Sequence, residues 1–173
     1  MIGRPGPTEA ATYYSTYIDR IQSNDICSTL VSQFDETMPV LETISEEQSL
    51  HRYEPGKWSI RELWNHVNDT ERAFVFRALW FARGFDAPLP GYDQDVAAAG
   101  AKANEYAWGR HVEEFRAIRQ STISLFNNMP AESWMRRGIA SEKAFTVRAV
   151  AYITAGHVAH HLAILKERYL QLA

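Results

Sequence analysis

An all-α fold, one bundle of four helices, is what this sequence predicts, and three observations carry it. Four segments repeat apolar residues at helical spacing: Ile26-Leu30-Phe34-Leu41-Ile44, the stretch 60–83, Val112-Phe115-Ile118-Thr122-Leu125-Phe126, and 147–165. No segment alternates apolar and polar residues convincingly enough to read as a strand. Helix punctuation stands between the four: Glu54-Pro55-Gly56-Lys57, Gly84, and Met129-Pro130.

At 173 residues the chain is long enough for one domain with a sizeable core. Residues 19–173 are expected to form it, with residues 1–18 as a loosely packed arm. The opening Met1-Ile2-Gly3-Arg4-Pro5-Gly6-Pro7 has no apolar signal core, and no uncharged apolar run reaches the roughly 20 residues of a membrane span. A net charge of −3 gives no basic field for nucleic acid. A single cysteine, Cys27, excludes an internal disulfide or a cysteine-built zinc site. These features fit a cytoplasmic protein whose partners are small molecules rather than nucleic acid or membrane.

Along the chain, Tyr13, Tyr14 and Tyr17 suggest that the arm packs down before the first helix. Asn24 and Asp25 are its capping candidates, Pro39 should kink it, and Cys27 reads as a small core hydrophobe. Ser59 followed by Glu62 is a capping box, so the second helix starts there and runs to about Arg83. Residues 84–104 are too many for an ordinary bundle connection. About 20 extended residues span roughly 65 Å, against about 30 Å for a helix of that length. The crossover can therefore return the chain to the same end, leaving the second and third helices parallel in an up-down-down-up order. A loop with Trp134, Arg136, Arg137 and Gly138 follows the third helix, and Thr146 is placed to cap the fourth.

Half of the six histidines lie in Thr154-Ala155-Gly156-His157-Val158-Ala159-His160-His161-Leu162. One helical turn separates His157 from His161, so both imidazoles point one way and can share a metal ion. Val150, Ile153 and Thr154 lie on their face; Arg148, Ala155, Ala159 and Lys166 lie opposite. His160 points about 100° away from His161. Val158 replaces the glutamate of a metalloprotease HEXXH motif. On the second helix, His66 shares a face with Leu63, Thr70, Ala73, Arg77, Trp80 and Phe81, and Asp69 at its edge could orient the imidazole. Core histidines held by a carboxylate or a carbonyl explain the same residues, so spacing alone leaves both readings open. If the second and fourth helices are antiparallel, the three histidines share one level of the bundle.

Several motifs, read in order, resemble the DinB-like superfamily. They are Tyr53-x-Pro55-Gly56-Lys57-Trp58-Ser59-Ile60-Arg61-Glu62, His66-x-x-Asp69-x-Glu71-Arg72, Arg77-Ala78-Leu79-x-Phe81-Ala82-Arg83-Gly84, Leu89-Pro90-Gly91-Tyr92-Asp93 and Gly156-His157-x-x-His160-His161-Leu162. The resemblance spans about residues 18–170. It implies an up-down-down-up bundle holding a divalent metal on His66, His157 and His161, with His160 outside the set and zinc or nickel as the leading metals. It also implies a homodimer, and metal-dependent enzymes of the kind that use low-molecular-weight thiols. On that reading the ion activates a thiol or water for S-transfer to, or hydrolysis of, a small electrophile. Glu62 and Asp69 would orient the ligands; Arg77 and Arg168 could anchor a substrate or thiol carboxylate, and an ion pair with Glu62 or a loop aspartate explains the two arginines equally well. The alternative is a non-catalytic, metal-stabilised and dimeric stress-response module. Solvent access to the ion separates the two readings.

Overall fold

Capping chemistry sets the helix boundaries. In the computed structural model, which describes residues 2–171, a short α1 (Ser15–Ile18) precedes α2 (Ile26–Glu42), whose free N–H groups are met by the Asp25 carboxylate. α3 (Ile60–Ala82) opens on the expected capping box: the Ser59 hydroxyl accepts from Glu62 N, and the Glu62 carboxylate accepts from Ser59 N. Gly84, at φ 79°, turns the chain out of the helix in a conformation that costs glycine nothing. The crossover contains a short helix of its own, α4 (Gln94–Ala101), before α5 (Trp108–Asn127). Two strands then follow, β1 (Arg137–Ala140) and β2 (Lys143–Thr146), paired antiparallel with Arg137 opposite Thr146. α6 (Val147–Ile164) starts at Thr146, whose hydroxyl accepts from Ala149 N, and widens into a π turn at Leu165–Tyr169.

Cross-helix contacts fix the directions. Asn68 donates to His111 O and Glu71 pairs with Arg119, so α3 and α5 rise in number together and are parallel. Gln33 meets Arg119 while Leu41 O accepts from Trp108 Nε1, so α2 and α5 are antiparallel. Tyr152 reaches Ser23 O and Gln33 reaches Ala155 O, so α2 and α6 run the same way. The bundle is the expected up-down-down-up arrangement, with α4 inside its long crossover.

Two apolar clusters fill the interior. One gathers Phe81, Phe126, Trp134, Phe145 and Tyr152; the other gathers Trp64, Trp108, Phe115, Val158 and Leu165. Between them every long helix contributes polar groups: Gln33 on α2, Thr70 and Glu71 on α3, Arg119 and Thr122 on α5, and His157 on α6, all buried. Arg119 joins Gln33 Oε1 and Glu71 Oε2 at 2.7 Å each, and Thr122 donates to Glu71 Oε1 at 2.7 Å. This polar layer is where the histidines sit.

Three expectations are corrected. The absence of strands fails at β1 and β2, whose four-residue lengths are too short to show alternation. Ala155 does not face solvent: α6 is buried on all sides from Ala149 to Val158 because the N-terminal segment covers its far face. That segment, expected to be loose, is pinned by Glu9, whose carboxylate accepts from Thr146 Oγ1, Arg148 and Gly6 N. α1 lies so close to α6 that a Cβ on Gly156 would stand 2.1 Å from Tyr17 O. Among the described residues no helix is long and apolar enough to cross a membrane.

Candidate metal centre

His66 lies two turns into α3, and His157 and His161 lie one turn apart near the end of α6, where the antiparallel packing of these helices sets them level. His66 Nε2 and His161 Nε2 each stand 3.1 Å from His157 Nε2. The three side chains form one buried cluster whose ligand atoms lie within 4.8 Å of one another. No cysteine or carboxylate joins it among the described residues. His160 turns its ring to Tyr17, at 5.6 Å between centroids, and stays out of the set.

The donor set fits a divalent cation. An ion about 2.0–2.1 Å from each imidazole nitrogen holds neighbouring nitrogens about 2.9 Å apart at a right angle and about 3.3 Å apart at the tetrahedral angle. The observed 3.1 Å falls in that interval. Thr70 Oγ1 lies 3.3 Å from His66 Nδ1 and can accept a hydrogen bond from its N–H, leaving the Nε2 lone pair turned inward. Burial keeps the imidazoles neutral, as ligands must be. It lowers His66 to about 4 and His161 to about 3, with neighbouring imidazoles adding to the effect, and it holds His157 well below its ordinary value.

Aromatic rings enclose the cluster. Tyr17 packs edge-on to His157 at 5.3 Å, Phe74 at 5.8 Å, and Trp58 leans on His66 at 5.1 Å. One side remains open: a cavity of about 160 Å³ is lined by His66, His157, Thr70, Phe74, Arg77 and the tyrosines of the arm. A second hollow, beside His161, is lined by Tyr53, Lys57, Trp58 and Arg168.

The residues expected to support the histidines divide. Glu62 is engaged elsewhere, held by Ser59 N, Asn104 and Arg52. Asp69 faces away, bonded to Asn65 and Arg72, and its carboxyl is raised by burial. Thr70, one residue on, orients the imidazole instead: the i, i+4 spacing puts it under His66, where Asp69 at i+3 is rotated towards α5. Arg77 lines the open cavity, and Arg168 donates to Tyr53 OH at 3.3 Å beside the second hollow. Tyr17 and Ser141 reach the cavity from the arm and the hairpin, and only their tertiary placement reveals them.

The model of the DinB superfamily matches residues 29–165. This chain belongs to the DinB superfamily. Among solved structures, YfiT from Bacillus subtilis is similar over 99% of this chain and 97% of its own, with 15% identity and a TM-score of 0.73. That protein is described as a probable metal-dependent hydrolase with an unusual four-helix bundle topology. No protein with a curated description matches by sequence. Within the DinB match lie all three clustered histidines, Thr70, Arg77 and Ser141; the arm tyrosines precede it.

Proposed function

We propose that this DinB protein is a metal-dependent enzyme in which His66, His157 and His161 hold a divalent ion that activates water or a thiol against a small electrophile. The observation that carries this reading is the cavity that opens on His66 and His157, with no carboxylate or cysteine closing the cluster among the described residues. A purely structural tie would use a filled shell, whereas a catalytic site keeps a position for its reactant. The description of YfiT as a probable metal-dependent hydrolase adds weight to the use of water.

A bound ion would supply Lewis acidity and lower the pKa of the water or thiol beside it. The chain does the rest. Thr70 fixes the tautomer of His66, the rings of Tyr17, Phe74 and Trp58 keep bulk water from the imidazoles, and the cavity holds the electrophile in reach. Zinc and nickel both suit an all-imidazole set.

The test is a turnover assay on protein loaded with zinc or with nickel. Small esters and amides are offered without thiol, and a chlorobimane or an epoxide is offered with bacillithiol, mycothiol, glutathione or cysteine. The expected result is turnover above background in one arm, falling to background in His161→Ala. Full metal occupancy with no turnover in any arm would leave a metal-stabilised module as the better reading.

A further inference from the structure

Three arginines are almost wholly buried, and one of them differs from the others. Arg61, 4% exposed, pairs with Glu46, and Arg119, 0% exposed, pairs with Glu71. Arg77, 6% exposed, has no carboxylate partner among the described residues. It donates one hydrogen bond, to Ser141 Oγ at 3.0 Å, and its guanidinium carbon lies 5.8 Å from the Phe74 ring. The rest of its planar fork is left for the cavity it lines. A buried cation without a counter-charge is costly, so a fold that keeps one beside an open cavity is shaped for an anion from outside.

A second observation comes from the hairpin. Ser141 and Glu142 at its tip have φ values of 50° and 60°, the left-handed pair that a two-residue turn usually builds from Asn-Gly. A serine that accepts this strain carries its hydroxyl to Arg77 and into the cavity wall.

We infer that the cavity takes a small monocarboxylate, its carboxylate clamped by Arg77 and Ser141 and its reacting end turned toward His66 and His157. The inference deepens the metal-enzyme reading and rests on it for the reaction, not for the binding. A guanidinium fork matches two carboxylate oxygens in one plane. Among the described residues Arg77 is the one arginine or lysine on the cavity wall, which suits one negative charge better than the two of a phosphate. The volume of about 160 Å³ is small beside the roughly 300–1,000 Å³ of pockets for drug-sized ligands, so the acid is short. His66 and Arg77 share one face of α3 and line the same cavity, with Phe74 packed against both Arg77 and His157, so the clamp and the histidines open on one space. The tyrosines between them offer flat apolar faces with hydroxyl edges.

The experiment is calorimetric titration of metal-free and zinc-loaded protein with propionate, benzoate, their amides, and inorganic phosphate, with metal content measured on every sample. At least one acid should bind tenfold or more tightly than its amide, in both forms of the protein. Arg77→Met should weaken that acid at least tenfold while metal content stays at the wild-type level, and Arg77→Lys should recover part of the loss. No binding by either acid, equal affinity for acid and amide, unchanged affinity in Arg77→Met, or tighter binding of phosphate than of both acids would each overturn the inference. If Arg77→Met folds poorly, Arg77→Lys and the wild-type acid–amide comparison decide it. A chain that takes up no zinc yet prefers the acid in metal-free form would sink the metal reading and keep the clamp.

Discussion

His160 and His161 are adjacent in sequence and opposite in consequence. Only His161 turns Nε2 to His157, at 3.1 Å, while His160 packs on Tyr17. Elemental analysis should therefore find wild-type metal in His160→Ala, and less than about a tenth of it in His66→Ala, His157→Ala or His161→Ala. Acidity gives a second prediction. Burial depresses the histidine pKa values in the folded state, so the unfolded chain binds more protons from about pH 6.5 down to about 4. Metal-free protein should then be at full stability above pH 6.5 and lose on the order of a few kcal/mol through His66 as pH falls through that window, read by urea melts. A stability that rises on acidification would refute the burial argument. The histidines were legible because they interrupt apolar faces that would otherwise be continuous. Thr70 was legible as a face residue but not as a partner, because Asp69 offered the stronger acceptor and only the packing of α3 on α5 shows it turned away. Arg77 could be placed on the right face from spacing; that it lacks an acid partner is a tertiary fact.

Elements differ in how openly they declare themselves. α3 was readable from capping box to terminal glycine because both signals are local. α6 was readable in extent but not in exposure, since Ala155 and Gly156 look like an outward face and are instead where α1 presses. Gly156→Ala should force Tyr17 off α6, and limited proteolysis should cut the first twenty residues faster than in the wild type, with the site's metal content less affected. The polar layer makes a sharper claim on stability. Glu71→Ala leaves Arg119 buried without its carboxylate, which costs about 3–5 kcal/mol. At about 2–4 °C per kcal/mol for a chain of this size, the melting temperature should fall by roughly 10 °C. A drop under about 2 °C would mean that the layer is wetter than its burial indicates. The hairpin went unread because its pairing partner, its strained tip and its contact with the crossover through Leu89 are all non-local.

Across the whole molecule, the histidines join helices whose residues lie 91 positions apart, so an ion there would brace α3 against α6. Chelation should lower the melting temperature and readdition should restore it; at a free metal concentration about 100 times Kd the gain is about 2.7 kcal/mol. A melting curve indifferent to chelator in metal-loaded protein would refute that. The order of the bundle was within reach of the sequence because an overlong crossover has few places to go. The docked arm has a further consequence, which concerns time. Glu9 is bonded to Arg148 at a separation of 139 residues, and Tyr17 rests on Gly156. On the ribosome the arm emerges before the helix it must cover has been made. At roughly 5–20 residues per second the arm waits about 7–28 s for its partner. The cavity roof therefore closes only after the fourth helix has left the exit tunnel, and until then the tyrosines that will line it are exposed to chaperones and proteases.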